Sequence, residues 1–225
     1  MKIKILGTRG EIEASALYHS RHSGVLIDKK ILLDIGEEEF LKYKPKYILI
    51  THLHPDHAFF VREPEKRAKI RIPIYTPKDL KQKKSVKVDS YKITPIPTIH
   101  SKKVKSLAYL IEKSGEKLLY TGDMIWINKK YHKLLKNLDL VITEASFYRK
   151  GGLVRRDKKT GKIYGHTGVP NLINLFKKFT SHIVFLHFGS WFYGDIKQAR
   201  RKLNKLGKEN KIKITVAYQG LELVV

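Results

Sequence analysis

The chain has 225 residues, no cysteine, 46 Lys and Arg against 21 Asp and Glu, and a formal net charge of +25. The lack of thiols excludes a disulfide framework, thiolate zinc and iron–sulfur sites and a cysteine nucleophile, and no apolar run reaches the roughly 18 residues of a membrane span. The length suits one domain spanning 1–225, the 10% aromatic content argues against disorder, and the uncompensated cations fit either a polyanionic partner such as RNA or DNA or a lysine-biased proteome with no specific partner.

The elements follow in chain order. Lys2–Leu6 alternates as a strand, and the segment Met1–Gly7 is too short for a signal sequence, so a cytoplasmic protein is expected. Gly24–Asp28 and Ile31–Asp34 read as strands joined at Lys29-Lys30. Tyr47–Ile50 is a buried-type strand stopped by Thr51-His52, and Ile72–Thr76 is a further strand. Lys81, Lys83, Lys84 and Lys87 read as solvated cations. Tyr91–Ile96 is a strand whose Pro95 and Pro97 demand an edge position. Leu107–Ile111 and Lys117–Tyr120 flank a Ser114-Gly115 turn. Leu138–Thr143 and Ile183–Leu186 are short buried strands around a helix at Asn171–Phe179. Asp195 caps a basic amphipathic helix, Ile196–Leu206, ended by Gly207, and Lys213–Ala217 and Leu221–Val225 close the chain as strands. Strands mixed with few helices imply α/β layers.

The chemistry concentrates at one strand end. His52, His54, Asp56 and His57 place three imidazoles and a carboxylate within six positions directly after Tyr47–Ile50. Imidazole and carboxylate suit Zn²⁺ and neighbouring first-row ions, and a strand end holds their backbone in place. Three more ligand-type residues repeat that placement: His100 after Tyr91–Thr98, Asp123 after Lys117–Tyr120, and His187 after Ile183–Leu186. Loops on a rigid scaffold are where function concentrates.

This pattern, His52-x-His54-x-Asp56-His57 followed by His100, Gly122-Asp123 and His187, resembles the metallo-β-lactamase-fold hydrolases over nearly the whole chain. Leu6-Gly7-Thr8 and Leu32-Leu33-Asp34-Ile35-Gly36 are similar to the opening strands of that family. The resemblance implies an α/β fold, an αββα four-layer sandwich of two pseudo-equivalent halves, roughly 1–113 and 114–225. It implies two divalent metal ions per chain, Zn²⁺ or alternatively Mn²⁺ or Fe²⁺. His52, His54 and His100 would hold one ion, Asp56, His57 and His187 the other, with Asp123 bridging and Asp34 supporting a ligand His from behind. A metal-bridging hydroxide would then attack phosphorus of a phosphodiester.

Within the family, Thr143-Glu144-Ala145-Ser146, His166-Thr167 and Leu186-His187-Phe188 resemble elements of the tRNA 3′-end endonucleases, tRNase Z. That resemblance implies a catalytic set of Asp56, Glu144 and His166, with Glu144 orienting His166 as general acid. The long tRNA-gripping arm of those enzymes is absent: a hairpin fills the space between His100 and Asp123. A basic segment with paired glycines lies between Glu144 and His166, and reads as a hairpin-like flap. Its Arg149, Lys150, Arg155, Arg156, Lys158, Lys159 and Lys162 would clamp a phosphate backbone in place of the arm. Lys102, Lys103 and Lys105 would rim the same cleft, and Arg200, Arg201, Lys202, Lys205 and Lys208 would form a second phosphate-binding face. Trp191, Phe192 and Tyr193 either stack a base or pack in the core. RNA is the expected partner and no membrane is; self-association stays open. The alternative function is hydrolysis of a small anionic ester, cyclic phosphate or lactone.

Overall fold

The computed structural model describes residues 1–80 and 84–225; Lys81 and Lys83 lie outside the described residues. Alternating burial marks the first strand, β1 (Lys2–Gly7), whose Ile3 and Ile5 face inward. Strands β2 (Gly24–Ile27), β3 (Ile31–Leu33), β4 (Tyr47–Leu49) and β5 (Ile74–Tyr75) extend its sheet. A second sheet takes β6 (Val86–Val88), β7 (Tyr91–Ile99), β8 (Ser106–Lys113), β9 (Glu116–Tyr120), β10 (Trp126–Ile127) and β11 (Leu140–Ala145). After the separate hairpin β12 (Leu153–Arg156) and β13 (Ile163–His166), the chain adds β14 (His182–Phe188) and β15 (Lys213–Val216) to that second sheet. Finally β16 (Glu222–Val224) pairs with β1. The orders are β16-β1-β2-β3-β4-β5 and β10-β7-β8-β9-β11-β14-β15, with β6 also on β7.

The two sheets meet face to face. Ile5, Val25 and Leu33 from one interlock with Tyr91, Tyr109 and Leu118 from the other in a buried cluster. The outer face of the second sheet is covered by α3 (Val169–Phe176), α4 (Ser190–Tyr193) and α5 (Ile196–Glu209) through Leu172, Phe176, Phe192 and Leu203. The outer face of the first sheet is covered more thinly, by 3₁₀ turns at Glu38–Tyr43 and Phe59–Val61 that bury Phe40, Phe59 and Phe60. Short helices α1 (Pro64–Lys69) and α2 (Pro77–Leu80) follow. This is the expected αββα sandwich. The expected division near residue 113 falls inside the β8–β9 hairpin, so each sheet draws strands from both sides of it.

Most strands lie within a residue or two of expectation, and the departures have local causes. The β2–β3 turn is shifted by one residue: Asp28 and Lys29 carry the positive φ angles of 47° and 55°, not Lys29-Lys30, because the Asp28 carboxylate accepts from the Lys2 amide at 2.7 Å. Strand β7 runs through both prolines. They pair with Tyr109 and Leu107 of β8 on one side, and on the other they sit in the gap between β6, which pairs at 91–93, and β10, which pairs at 98–99. Helix α5 passes through Gly207 to Glu209. Gly207 is not a stop but a contact point: a Cβ there would lie 2.9 Å from the Ile212 carbonyl. The left-handed residue after the helix is Lys211, at φ 55°.

Candidate metal centre

Every ligand-type residue picked out above stands at the end of a strand, and local backbone geometry aims it. Asp34, just past β3, adopts φ 57°. There its carboxylate accepts from the Thr51 amide at 2.7 Å, from the Thr51 hydroxyl at 2.9 and 3.0 Å, and from the Tyr120 hydroxyl at 2.8 Å. This buried knot ties the end of β4, where the histidine motif begins, to the end of β9, where Asp123 follows. The amides of His57 and Ala58 both bond back to the His54 carbonyl, folding the motif into a turn. Gly122 precedes Asp123 with φ +56°, and a Cβ there would meet the Thr51 side chain at 2.5 Å, so only glycine lets the two strand ends close together. His187 sits in a register break of the β11–β14 ladder with φ 52°. Such a bulge redirects one side chain, and a non-glycine in that conformation costs energy that the surrounding fold must supply.

The side chains converge in two groups that share a carboxylate. Ligand atoms of His52, His54 and His100 lie within 4.8 Å of one another, as do those of Asp56, His57, Asp123 and His187. In the first group His54 Nδ1 is 3.0 Å from His52 Nε2 and 3.3 Å from His100 Nε2. In the second, His187 Nε2 is 2.8 Å from Asp56 Oδ2. Asp123 spans both groups. Its Oδ2 is 3.7 Å from His52 Nε2 and 3.8 Å from His100 Nε2, while its Oδ1 is 3.3 Å from His57 Nε2 and 3.4 Å from His187 Nε2.

The set fits divalent cations. His57 Nε2 and Asp123 Oδ1 are buried without a hydrogen-bond partner, an arrangement that is costly unless something positive fills the space between them. The far nitrogens of three histidines are already engaged: His57 Nδ1 with Asp34 at 2.7 Å, His100 Nδ1 with the Gly165 carbonyl at 3.0 Å, and His187 Nδ1 with the Ser146 hydroxyl at 3.0 Å. The Asp34 carboxylate and the Gly165 carbonyl can only accept, so they place the proton on Nδ1 and leave Nε2 of His57 and His100 as a lone pair facing inward, as in histidine metal sites generally, and the Ser146 hydroxyl holds the His187 ring from behind. Burial alone would raise the Asp123 carboxyl, but the imidazoles of His187 and His57, when protonated, hold it well below the usual carboxylate range.

Beside this cluster stands a second pair. Glu144 is fully buried on β11; one of its oxygens accepts from the Met124 amide at 2.7 Å and the other faces His166 Nδ1 at 2.8 Å. Burial would lower the His166 imidazole, but the carboxylates of Glu144 and Asp123 outweigh it and lift it to about 9. His166 Nδ1 lies 3.8 Å from Asp123 Oδ2, so His100, Asp123 and His166 form a third potential ligand group.

Comparison with known proteins decides the family. A family model described as the beta-lactamase superfamily domain matches residues 76–188, half of the chain, and one for the metallo-beta-lactamase superfamily matches residues 23–105. The chain belongs to the metallo-β-lactamase superfamily. Solved structures of metallo-β-lactamase-fold proteins share its whole architecture. The metallo-beta-lactamase fold protein YhfI from Bacillus subtilis has 19% identity and a TM-score of 0.71, covering 99% of this chain and 98% of that one. A diphosphatase from the PhnP family has 17% identity and a TM-score of 0.66, covering 99% and 96%. Human tRNase Z, short form, has 17% identity and a TM-score of 0.62, covering 100% and 99%. No curated protein matches the chain. At these identities the structural likeness carries the metallo-β-lactamase fold and no more.

The cluster opens into a cavity of about 470 Å³ whose walls include Ile12, Phe147, Leu153 and His166. The basic flap is an antiparallel hairpin, β12–β13, and His166 is its last residue. It is fastened to the cluster: the Gly165 amide donates to the His100 carbonyl at 2.7 Å, and Lys102 pairs with Asp157 of the hairpin turn at 2.8 Å. Arg155, Arg156, Lys158, Lys159 and Lys162 are exposed along it, as are Arg149 and Lys150 at its base. Of the aromatic run, Phe192 is buried and stacks on Phe188 at 3.8 Å, so it belongs to the core. Trp191 donates to the Ala145 carbonyl at 2.8 Å and Tyr193 to the His19 carbonyl at 2.9 Å.

Sequence reasoning missed four contributors: Thr51, Tyr120, Ser146 and the lip Gly10–Ile12. Ser146 directly follows Glu144-Ala145 and Thr51 directly precedes His52, so position beside a motif was the one available signal. Gly10 has no such signal. It reaches the cavity because β1 ends beside His187, whose ring would lie 3.0 Å from a Cβ at that position.

Proposed function

We propose that this metallo-β-lactamase-superfamily hydrolase cleaves phosphodiester bonds in RNA, in the manner of tRNase Z. One observation carries the reading: a single hairpin ends in His166, paired with Glu144 beside the histidine–aspartate cluster, and presents a row of exposed cations. The group that would protonate a leaving oxygen and the charges that would hold a phosphate backbone therefore sit on one element. Two of the structural relatives are named as a diphosphatase and a tRNase, which accords with phosphate chemistry.

His52, His54 and His100 would hold one divalent ion and Asp56, His57 and His187 a second, with Asp123 shared. Such a pair of ions supplies an activated water at neutral pH and charge stabilisation at phosphorus. The chain's own part is proton delivery. Nδ1 of His166 is taken by Glu144, so the proton offered to the cavity is on Nε2; it passes to the departing oxygen as the P–O bond breaks. The Glu144 carboxylate fixes the ring and favours its charged form. Apolar walls at Ile12, Phe147 and Leu153 limit water around that transfer.

The cavity itself favours a second reading. A volume of about 470 Å³ suits a small molecule, so a small anionic ester, cyclic phosphate or lactone would fill it without using the flap. Purified protein assayed for zinc, manganese and iron, and then screened against structured RNA, DNA, bis-p-nitrophenyl phosphate, cyclic nucleotides and lactones, separates the two. Metal-dependent cleavage of RNA supports the proposal. Turnover confined to small esters or lactones replaces it with the second reading.

A further inference from the structure

The positive charge is not spread evenly. Residues 146–225 hold seventeen Lys and Arg against four acids, Asp157, Asp195, Glu209 and Glu222. Three of those acids are committed elsewhere: Asp157 to Lys102, Asp195 to the α5 N-terminus through the Gln198 amide at 2.9 Å, and Glu222 to Lys4. In the first half of the chain, by contrast, cations such as Arg21, Lys66 and Lys92 sit against Glu39, Glu38 and Glu112.

Helix α5 gathers much of the excess, and its packing fixes which way it points. Ala199, Leu203 and Gly207 are buried against the second sheet. Lys197, Arg201, Lys205 and Lys208 then fall within an arc of about 80° on the opposite face, at 3.6 residues per turn. All four are exposed. Among the described residues one acid approaches this stripe, Glu209, at 3.8 Å from Lys205. A solubilising helix face would alternate signs at i, i+4 spacing; this one repeats a single sign.

The stripe is also connected to the cavity. Strand β14 ends at the cluster with His187 and pairs in parallel with β15, so the intervening α5 runs back from the site. Its N-terminal end lies nearer the cluster and its C-terminal end about 21 Å further away, at 1.5 Å per residue over 14 residues. Tyr148 fills the step between. It follows Phe147 of the cavity wall, its ring lies 5.2 Å from that of Trp191, and Lys202 Nζ of α5 lies 5.7 Å from its centroid.

The geometry points to α5 as a distal RNA-binding surface, on which the Lys197–Arg201–Lys205–Lys208 stripe grips the strand that continues out of the cavity past Tyr148. This rests on the RNA reading given above, and extends it: the substrate is a polynucleotide with several nucleotides beyond the cleaved bond. The stripe spans about 16 Å from Lys197 to Lys208, so at ~3.4 Å per stacked nucleotide it matches about five. The flap holds the backbone near the reacting phosphate, and α5 holds it further on.

The test compares binding of two RNAs, one of about four nucleotides and one of about 20, across a salt series, read by rapid mixing before cleavage proceeds. The variants are wild type, the quadruple Lys197→Gln, Arg201→Gln, Lys205→Gln, Lys208→Gln, and a charge-preserving quadruple with Lys and Arg exchanged. Glutamine keeps helix propensity, and the melting temperature checks that each variant folds. The quadruple Gln variant should bind the long RNA about tenfold or more weakly, with the slope of log K against log salt reduced by about 2–3, from ~0.7 per single-strand contact over four contacts. The short RNA and turnover of bis-p-nitrophenyl phosphate should be unchanged, and the exchanged variant should bind as wild type. Unchanged long-RNA affinity and slope would overturn the α5 surface while leaving the RNA reading in place. Equal weakening of both lengths would reduce it to diffuse charge. A wild-type protein without salt-dependent RNA binding would overturn the RNA reading and the surface together.

Discussion

Substituting Glu144 by Gln tests the proton path most sharply, because the two oxygens of this buried side chain have different partners. One accepts from the Met124 amide at 2.7 Å and the other from His166 Nδ1 at 2.8 Å. An amide offers one acceptor and one donor. If the donor faces Met124, two N–H groups collide in the core, at a cost of about 1–3 kcal/mol for the unsatisfied pair. The side chain will therefore turn its NH₂ to His166, whose Nδ1 must then become an acceptor. The ring keeps a proton on Nε2 but loses its charge. Burial now acts on the imidazole without the carboxylate that opposed it most, so His166 falls from about 9 towards or below its ordinary value. The general acid must be protonated and charged to work well, so the variant should lose rate at pH 8 and recover part of it as the pH is lowered. His166→Ala should lose about 10²–10⁴ in kcat at every pH, the usual worth of general acid catalysis. Both proteins should keep full metal content. The assay is kcat against pH on the best substrate of the screen, with metal analysis of the same samples. A Glu144→Gln profile parallel to wild type would refute the charge argument. A His166→Ala protein short of one metal ion would show that the third group, His100, Asp123 and His166, is a ligand set.

Asp123→Ala removes the carboxylate facing both groups, and metal content and turnover should fall together; retention of two ions by elemental analysis would remove its bridging role. Ser146→Ala leaves His187 Nδ1 without its 3.0 Å partner, so affinity at the second group should fall about 10–100-fold, read by competition with a chelator while the first group is retained. Neutralising Arg155, Arg156, Lys158 and Lys159 together should weaken RNA binding and flatten its salt dependence by about 0.7 per lost single-strand contact, while hydrolysis of a small phosphodiester survives. Acid should destabilise the fold through His19 and His182, each held near 4 by burial, with Arg200 and Lys213 respectively adding to it. The unfolded chain takes up these protons below about pH 6.5 and the native state only near 4. Stability is therefore complete above pH 6.5 and drains away between 6.5 and 4. The melting temperature of His182→Gln should fall less than that of wild type from pH 7.5 to 5.

What could be read from the sequence and what could not divide along a physical line. That His52, His54, Asp56, His57, His100, Asp123 and His187 come together was legible, because ligand-type residues following apolar strands are conspicuous. Glu144 and His166 were legible through motif resemblance, and their 2.8 Å contact joins residues 22 positions apart. The partners behind the ligands were not. Ser146 behind His187 and Tyr120 behind Asp34 are common residue types whose task depends on a rotamer and a neighbouring strand, and the Gly165 carbonyl behind His100 is backbone that any residue would present. Gly207 was misread for a related reason. Glycine marks helix ends because it tolerates left-handed backbone, but here it is kept inside the helix by close approach to Ile212, a contact set by α5 lying on β15. The same docking decides the fate of the basic residues around it. Composition could report +25 but not its direction, and two hairpins or helices of equal charge differ in function only by where they stand. Once β14 carries His187 to the cluster and β15 pairs parallel to it, α5 must run back from the site, and its cations come to stand on the face it turns away from the second sheet.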